Sequence, residues 1–194
     1  MLSLRRSPAS QQVCDVSAAV ARVVRTSSAG GIVDKASDSA NACADAIVTL
    51  ENALDTLREA SRMVREAANH VIDAAEADDA ERALLAERYD DSRRRIDDLT
   101  DDGAGGTVTL LKSGAAPISV PLRGAVYAIS PFPLSTGEYG LDLPPPVQGF
   151  VSHAEVSDTL RRIEIAMERI SRAKAIYRQD IAFLRTRIPS SRPS

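Results

Sequence analysis

Four carboxylates crowd one short stretch, Asp97, Asp98, Asp101 and Asp102, a residue type and density that could hold a cation or supply a catalytic acid and base. They fall where a helical pattern gives way to Gly103-Ala104-Gly105-Gly106, so a solvated helix end and turn accounts for them more economically. That glycine run follows a helix instead of opening one, which leaves phosphate cradling without its structural context. His70 and His153 each stand without a second histidine or cysteine at ligand spacing. The patterns GxxxxGK[ST], GxGxxG after a strand, and GxSxG are absent. Cys43 lies on an apolar helical stripe and reads as a small buried hydrophobe; Cys14 is the second cysteine. No catalytic, cofactor or metal residue is assigned, and the chain is not expected to be an enzyme.

The elements around these residues are more legible. Apolar residues recur at 3-4 spacing through Cys43, Ile47, Leu50, Leu54, Leu57, Val64 and Val71, again through Leu85, Tyr89, Ile96 and Leu99, and again through Val156, Leu160, Ile163, Met167, Ile170, Tyr177, Ile181 and Leu184. Such stripes predict helices over about 36–76, 79–100 and 153–188 that pack along extended seams. Ser61, Ser92 and Lys174 interrupt the seams; a polar seam residue can set register, and a lysine can also extend its stem and expose only its ammonium. Asp78 followed by Glu81, and Ser152 followed by Glu155, mark the starts of the second and third helices. Arg62 with Glu66 is the weaker ordering of an i,i+4 pair, whereas Asp90 with Arg94 and Asp91 with Arg95 are acid-first pairs on an exposed side.

Seven of the ten prolines, at 117, 121, 131, 133, 144, 145 and 146, exclude helix from the region 105–150. Within it, 107–111 and 118–120 read as a hairpin, with 125–129 a candidate third strand, and Pro144-Pro145-Pro146 as an extended crossing. Residues 1–35 form an arm or short helix, and residues 189–194 a disordered tail. The fold class is therefore mainly α with a small β region: an elongated antiparallel bundle or coiled coil of long helices plus a β-hairpin.

Composition agrees with a folded chain: 26% charged and 44% hydrophobic residues argue against disorder, and only 4% aromatics suit narrow helix-on-helix packing more than a ligand cavity. Residues 36–100 hold 16 acidic and 8 basic side chains, a balance of -8, while residues 154–188 hold 5 and 8, a balance of +3. Opposite signs favour pairing of the two halves. The basic charges of the last helix are interspersed with acids and no aromatic platform accompanies them, so nucleic acid is not an expected partner. No run reaches membrane-spanning length, and Asp15 and Arg22 break the early apolar stretch, against a cleaved signal.

Ala53-Leu54-Asp55-Thr56-Leu57 and then Met63-Val64-Arg65-Glu66 resemble bacterial flagellin, in which an A-L-x-x-L stretch precedes a hydrophobe and V-R-E in the first core helix. The similarity continues through a polar break at 77–80, Arg95-Ile96-Asp97-Asp98-Leu99, a Gly-containing turn, a hairpin region, Tyr139-Gly140-Leu141-Asp142 against S-L-G-L, and the last helix. The resemblance implies the flagellin inner-core architecture, with a small β region at one end of a rod. It further implies a structural subunit or accessory of the flagellar filament that leaves the cell by the flagellar export route. Its expected partners are flagellin, other flagellar components or further copies of itself. The alternative is a non-polymerising, cytoplasmic regulator or chaperone-type protein of the same system.

The family's terminal segments and its R-L-S-S-G-x-R-I-N-S-A signature lack counterparts beyond Arg25-Thr26-Ser27-Ser28-Ala29-Gly30, so the resemblance leaves open whether the chain polymerises as an ordinary filament. Arg65 and Glu66 match the family surface sensed by a Toll-like receptor. Ser61 and Ala67 stand where that surface places larger apolar residues, so strong receptor binding is not expected.

Overall fold

A computed structural model describes residues 34–101 and 109–188. The readings of residues 1–33, including Cys14, of the glycine turn 103–106 and of the tail 189–194 lie outside those residues. The described chain is mainly helical with one small antiparallel sheet: α1 (Asp34–Ala74), α2 (Asp79–Asp101), a 3-10 turn (Thr109–Leu111), β1 (Ile118–Leu122), β2 (Ala125–Ile129) and α3 (His153–Arg185).

The helix boundaries follow from capping. Beyond α1, Ala75 N donates to Ile72 O and Glu76 N to Asp73 O, a tightened i→i−3 finish that satisfies the last carbonyls. Asp78 Oδ1 accepts from Ala80 N at 3.0 Å and Glu81 N at 2.9 Å and so caps α2. Ser152 caps α3 by accepting from Glu155 N at 3.1 Å. The Glu155 carboxylate forms no return bond of a capping box; it accepts from Val147 N at 2.7 Å and Gln148 N at 3.2 Å. The proline crossing is thereby tied to the helix it leads into.

α1 packs against both α2 and α3. Glu51 meets Arg185 at 2.8 Å and Ser61 meets Lys174 at 2.9 Å, so α1 and α3 run antiparallel although they come from distant parts of the chain. At 41 residues α1 is about 60 Å long, whereas the 23 residues of α2 reach only about 35 Å along it. The β-hairpin covers part of what α2 leaves open: β1 packs on α1, and Ser39 Oγ donates to Pro121 O at 3.0 Å.

From the hairpin, residues 130–151 climb along α2 and α3 as a wedge. Contacts with α2 pass from Asp97 to Arg93, Tyr89 and Arg82 as the wedge passes from Thr136 to Leu143, Pro144 and Val151. Contacts with α3 pass from Tyr177 to Arg169 and Arg162 as it passes from Ser130 to Gly140 and Asp142. Leu134, Leu141, Leu143 and Phe150 are fully buried, and Phe150 meets Tyr89 edge-on at 5.4 Å. The wedge needs no strand partner, because Phe132 N and Leu134 N donate to Leu110 O and Leu111 O and later amides close turns within it.

Two expectations for the middle region are corrected. Residues 109–111 form a 3-10 turn instead of a strand paired with 118–120, because the adjacent Leu110 and Leu111 are both wholly buried, which an alternating strand on a one-sided sheet cannot achieve. The hairpin lies one strand later, pairing Ile118↔Ile129 through Leu122↔Ala125, and Gly124 at φ +74° accepts the left-handed turn. The hairpin itself lies at one end of the helices, against Ser39 of α1 and Asp180 of α3, while Leu110, Leu111 and the apolar residues of the wedge complete the core along the helices.

Candidate interaction site

The predicted seam residues divide into two groups. Ile47, Leu50, Leu54, Leu57, Val64 and Val71 of α1, Leu85 and Ile96 of α2, and Ile163, Ile170, Tyr177, Ile181 and Leu184 of α3 are buried. Leu99, Leu160 and Met167 are only partly buried and pack on the edge of the core. The polar seam residues find local partners. Ser92 Oγ donates to Arg88 O at 3.1 Å within its own helix, and Lys174 Nζ donates to Ser61 Oγ, so the two α1–α3 interruptions satisfy each other. Cys43 is buried, and burial raises its thiol pKa.

Arg65 and Glu66 do not act together. Consecutive helical residues point about 100° apart. Glu66 faces α2, accepting from Arg95 at 3.3 Å and from Arg62 at 3.4 Å. Arg62 also binds Glu59 through Nε and Nη2, and that hydrogen bonding holds the Glu59 carboxyl below the usual range. Arg65 lies on the α3 side, where it joins Arg178 and Arg58 around Lys174. Burial first, and then these cations, hold the Lys174 ammonium below the ordinary lysine value. The expected Asp91–Arg95 pair is replaced: Asp91 meets Arg94 at 3.3 Å while Arg95 crosses to α1.

On this flank α1 and α3 form a shallow hollow of about 350 Å³ with an apolar floor of Leu54, Ile181 and Ala182 and a rim of Glu51, Arg58, Arg178 and Arg185. Arg58 is paired with Asp55 and Arg185 with Glu51. A groove of about 380 Å³ opens on the other edge of α3, between Phe132, Tyr139, Arg169 and Ile176.

The acid cluster is partly structural. Asp97 is no solvated helix-end residue: its carboxylate accepts Thr136 N and Thr136 Oγ1, both at 2.7 Å, and pins the wedge to α2. Arg93 works beside it, donating to Leu143 O and to Asp90 at 2.5 Å each and to Thr136 Oγ1 at 3.2 Å. Sequence reasoning missed both residues, since their signal is only that one of three successive arginines and one of several acids turn inward. At the far end Tyr127 Oη donates to the buried Asp180 at 2.5 Å, joining β2 to α3.

Among the described residues no three His, Cys, Asp or Glu gather in a way that could hold a metal ion, and no helix is long and apolar enough to cross a membrane. No family model matches the chain, and no curated protein matches it. The described residues thus present charged helix flanks with two shallow hollows beside α3.

Proposed function

We propose that this chain is a flagellin-like structural protein, a subunit or accessory of a flagellar filament that packs laterally through an elongated antiparallel helical bundle. The observation that carries this reading is the return of α3, from the far part of the chain, to lie antiparallel beside α1. The element order of helix, helix, hairpin and returning helix, which the resemblance implies for a flagellin inner core, supports it. A protein whose buried contacts run along helices about 50–60 Å long offers extended flanks to neighbours.

Electron microscopy of the purified protein, alone and mixed with full-length flagellin, tests the reading. Incorporation of the labelled chain into filaments, or a change in their length or form, is expected. Filaments that exclude the chain and are unaltered by it, together with a lysate capture returning export or regulatory factors but no flagellin, would overturn it.

A further inference from the structure

This inference rests on the lateral-packing reading and names the contact. We propose that Leu84 of α2, flanked by Glu87 and Asp91, seats in the α1–α3 hollow of a second copy of this chain.

Leu84, in the second turn of α2, is 46% exposed although it is a large aliphatic residue. Residues 84, 87 and 91 share one stripe by their 3-4 spacing, and Leu85, Tyr89 and Ile96 turn the opposite side of α2 into the core. The stripe is thus an apolar knob beside exposed Arg88 and two exposed carboxylates, of which Asp91 already meets Arg94 and Glu87 has no ion pair with a described residue. The hollow has the converse pattern, an apolar floor within a rim of three arginines and one carboxylate, Glu51. Arg58 and Arg185 already have carboxylate partners. Arg178 has no ion pair with a described residue, and Lys174 and Arg65 add positive charge in the next turns. A carboxylate arriving with Leu84 therefore meets uncompensated positive charge, which fixes orientation, while burial of the leucine supplies attraction.

A copy cannot fill its own hollow. α2 lies on the α1 flank marked by Glu66–Arg95, and the hollow on the flank marked by Ser61–Lys174. Each copy consequently presents one knob and one hollow on different faces, which allows head-to-tail association into a chain or a ring.

Sedimentation velocity on the full chain at low ionic strength tests the contact. The wild type should show average mass rising with concentration and falling at high salt. Leu84→Lys removes the knob and is repelled by the basic rim, and Ala182→Arg fills the hollow; both positions are exposed, so circular dichroism should show an unchanged fold. Each variant alone should associate at least tenfold more weakly. An equimolar mixture should form a one-to-one dimer and nothing larger, because only one knob and one hollow remain competent. A monomeric wild type, variants that associate like the wild type, or a mixture that remains monomeric would each overturn the proposal. If filaments incorporate wild type and both variants equally, the flagellin-like reading stands and this contact fails.

Discussion

Arg93, Arg94 and Arg95 are consecutive and chemically identical, yet alanine at each should give three different losses of stability. The Arg93 side chain is 13% exposed and holds three acceptors, Leu143 O, Asp90 and Thr136 Oγ1. A hydrogen bond to a charged group contributes roughly 1.5–3 kcal/mol, and one guanidinium serves all three, so their contributions do not simply add. Truncation leaves a wedge carbonyl and a partly buried carboxylate short of a donor, and water entering the gap recovers part of the loss. The expected cost is about 2–4 kcal/mol. Arg94 is 68% exposed, and its bonds to Asp90 and Asp91 should contribute at most about 0.5 kcal/mol. Arg95, 47% exposed at 3.3 Å from Glu66, should contribute less than about 1 kcal/mol. Urea unfolding followed by far-ultraviolet circular dichroism measures all three. Arg93→Lys keeps the charge without the planar fork and should recover only part of the loss. An Arg93→Ala variant within about 0.5 kcal/mol of Arg94→Ala would refute the claim that this fork holds the wedge.

Three further outcomes are expected. Ile163→Ala, at a site 3% exposed, should cost about 2–5 kcal/mol, and Met167→Ala, partly buried one turn on, distinctly less; equal losses in thermal unfolding would contradict the observed burial. A Cβ at Gly140 would lie 2.0 Å from Ser135 O, so Gly140→Ala must shift the wedge turn and should cost about 1–3 kcal/mol or more, with faster amide exchange at Leu141 and Leu143; native-like exchange would show that the turn yields freely. Because the folded-state pKa of Lys174 is lowered, the unfolded chain binds more protons between the folded value and the ordinary lysine value. Stability therefore rises with pH through that window, and the penalty is fully present below it. Lys174→Met should match or exceed wild-type stability at neutral pH and lack that alkaline rise; denaturant midpoints at neutral and mildly alkaline pH check both points.

The stripes of Leu50, Leu54 and Leu57, or of Ile163, Ile170 and Tyr177, were legible because helical period is local: each residue's face depends only on its neighbours three and four places away. The caps at Asp78 and Ser152 were legible for the same reason. The wedge was not, since Leu134, Leu141 and Leu143 lie in an aperiodic, proline-rich run whose burial depends on helices 40 or more residues away in places. The strand pairing misled because Leu110 and Leu111 have strand-compatible composition, and only the core they enter selects a 3-10 turn. Of the docking features, the cations Arg65 and Lys174 were noted singly, but the hollow and the Leu84 knob belong to surfaces assembled from separate helices. The amino-acid order by itself determined which segments are helical and which side of each is apolar. Tertiary structure alone decided which of three adjacent arginines turns inward, which acid pins the wedge and which apolar residue is left facing solvent, because those choices depend on what other segments place across the gap.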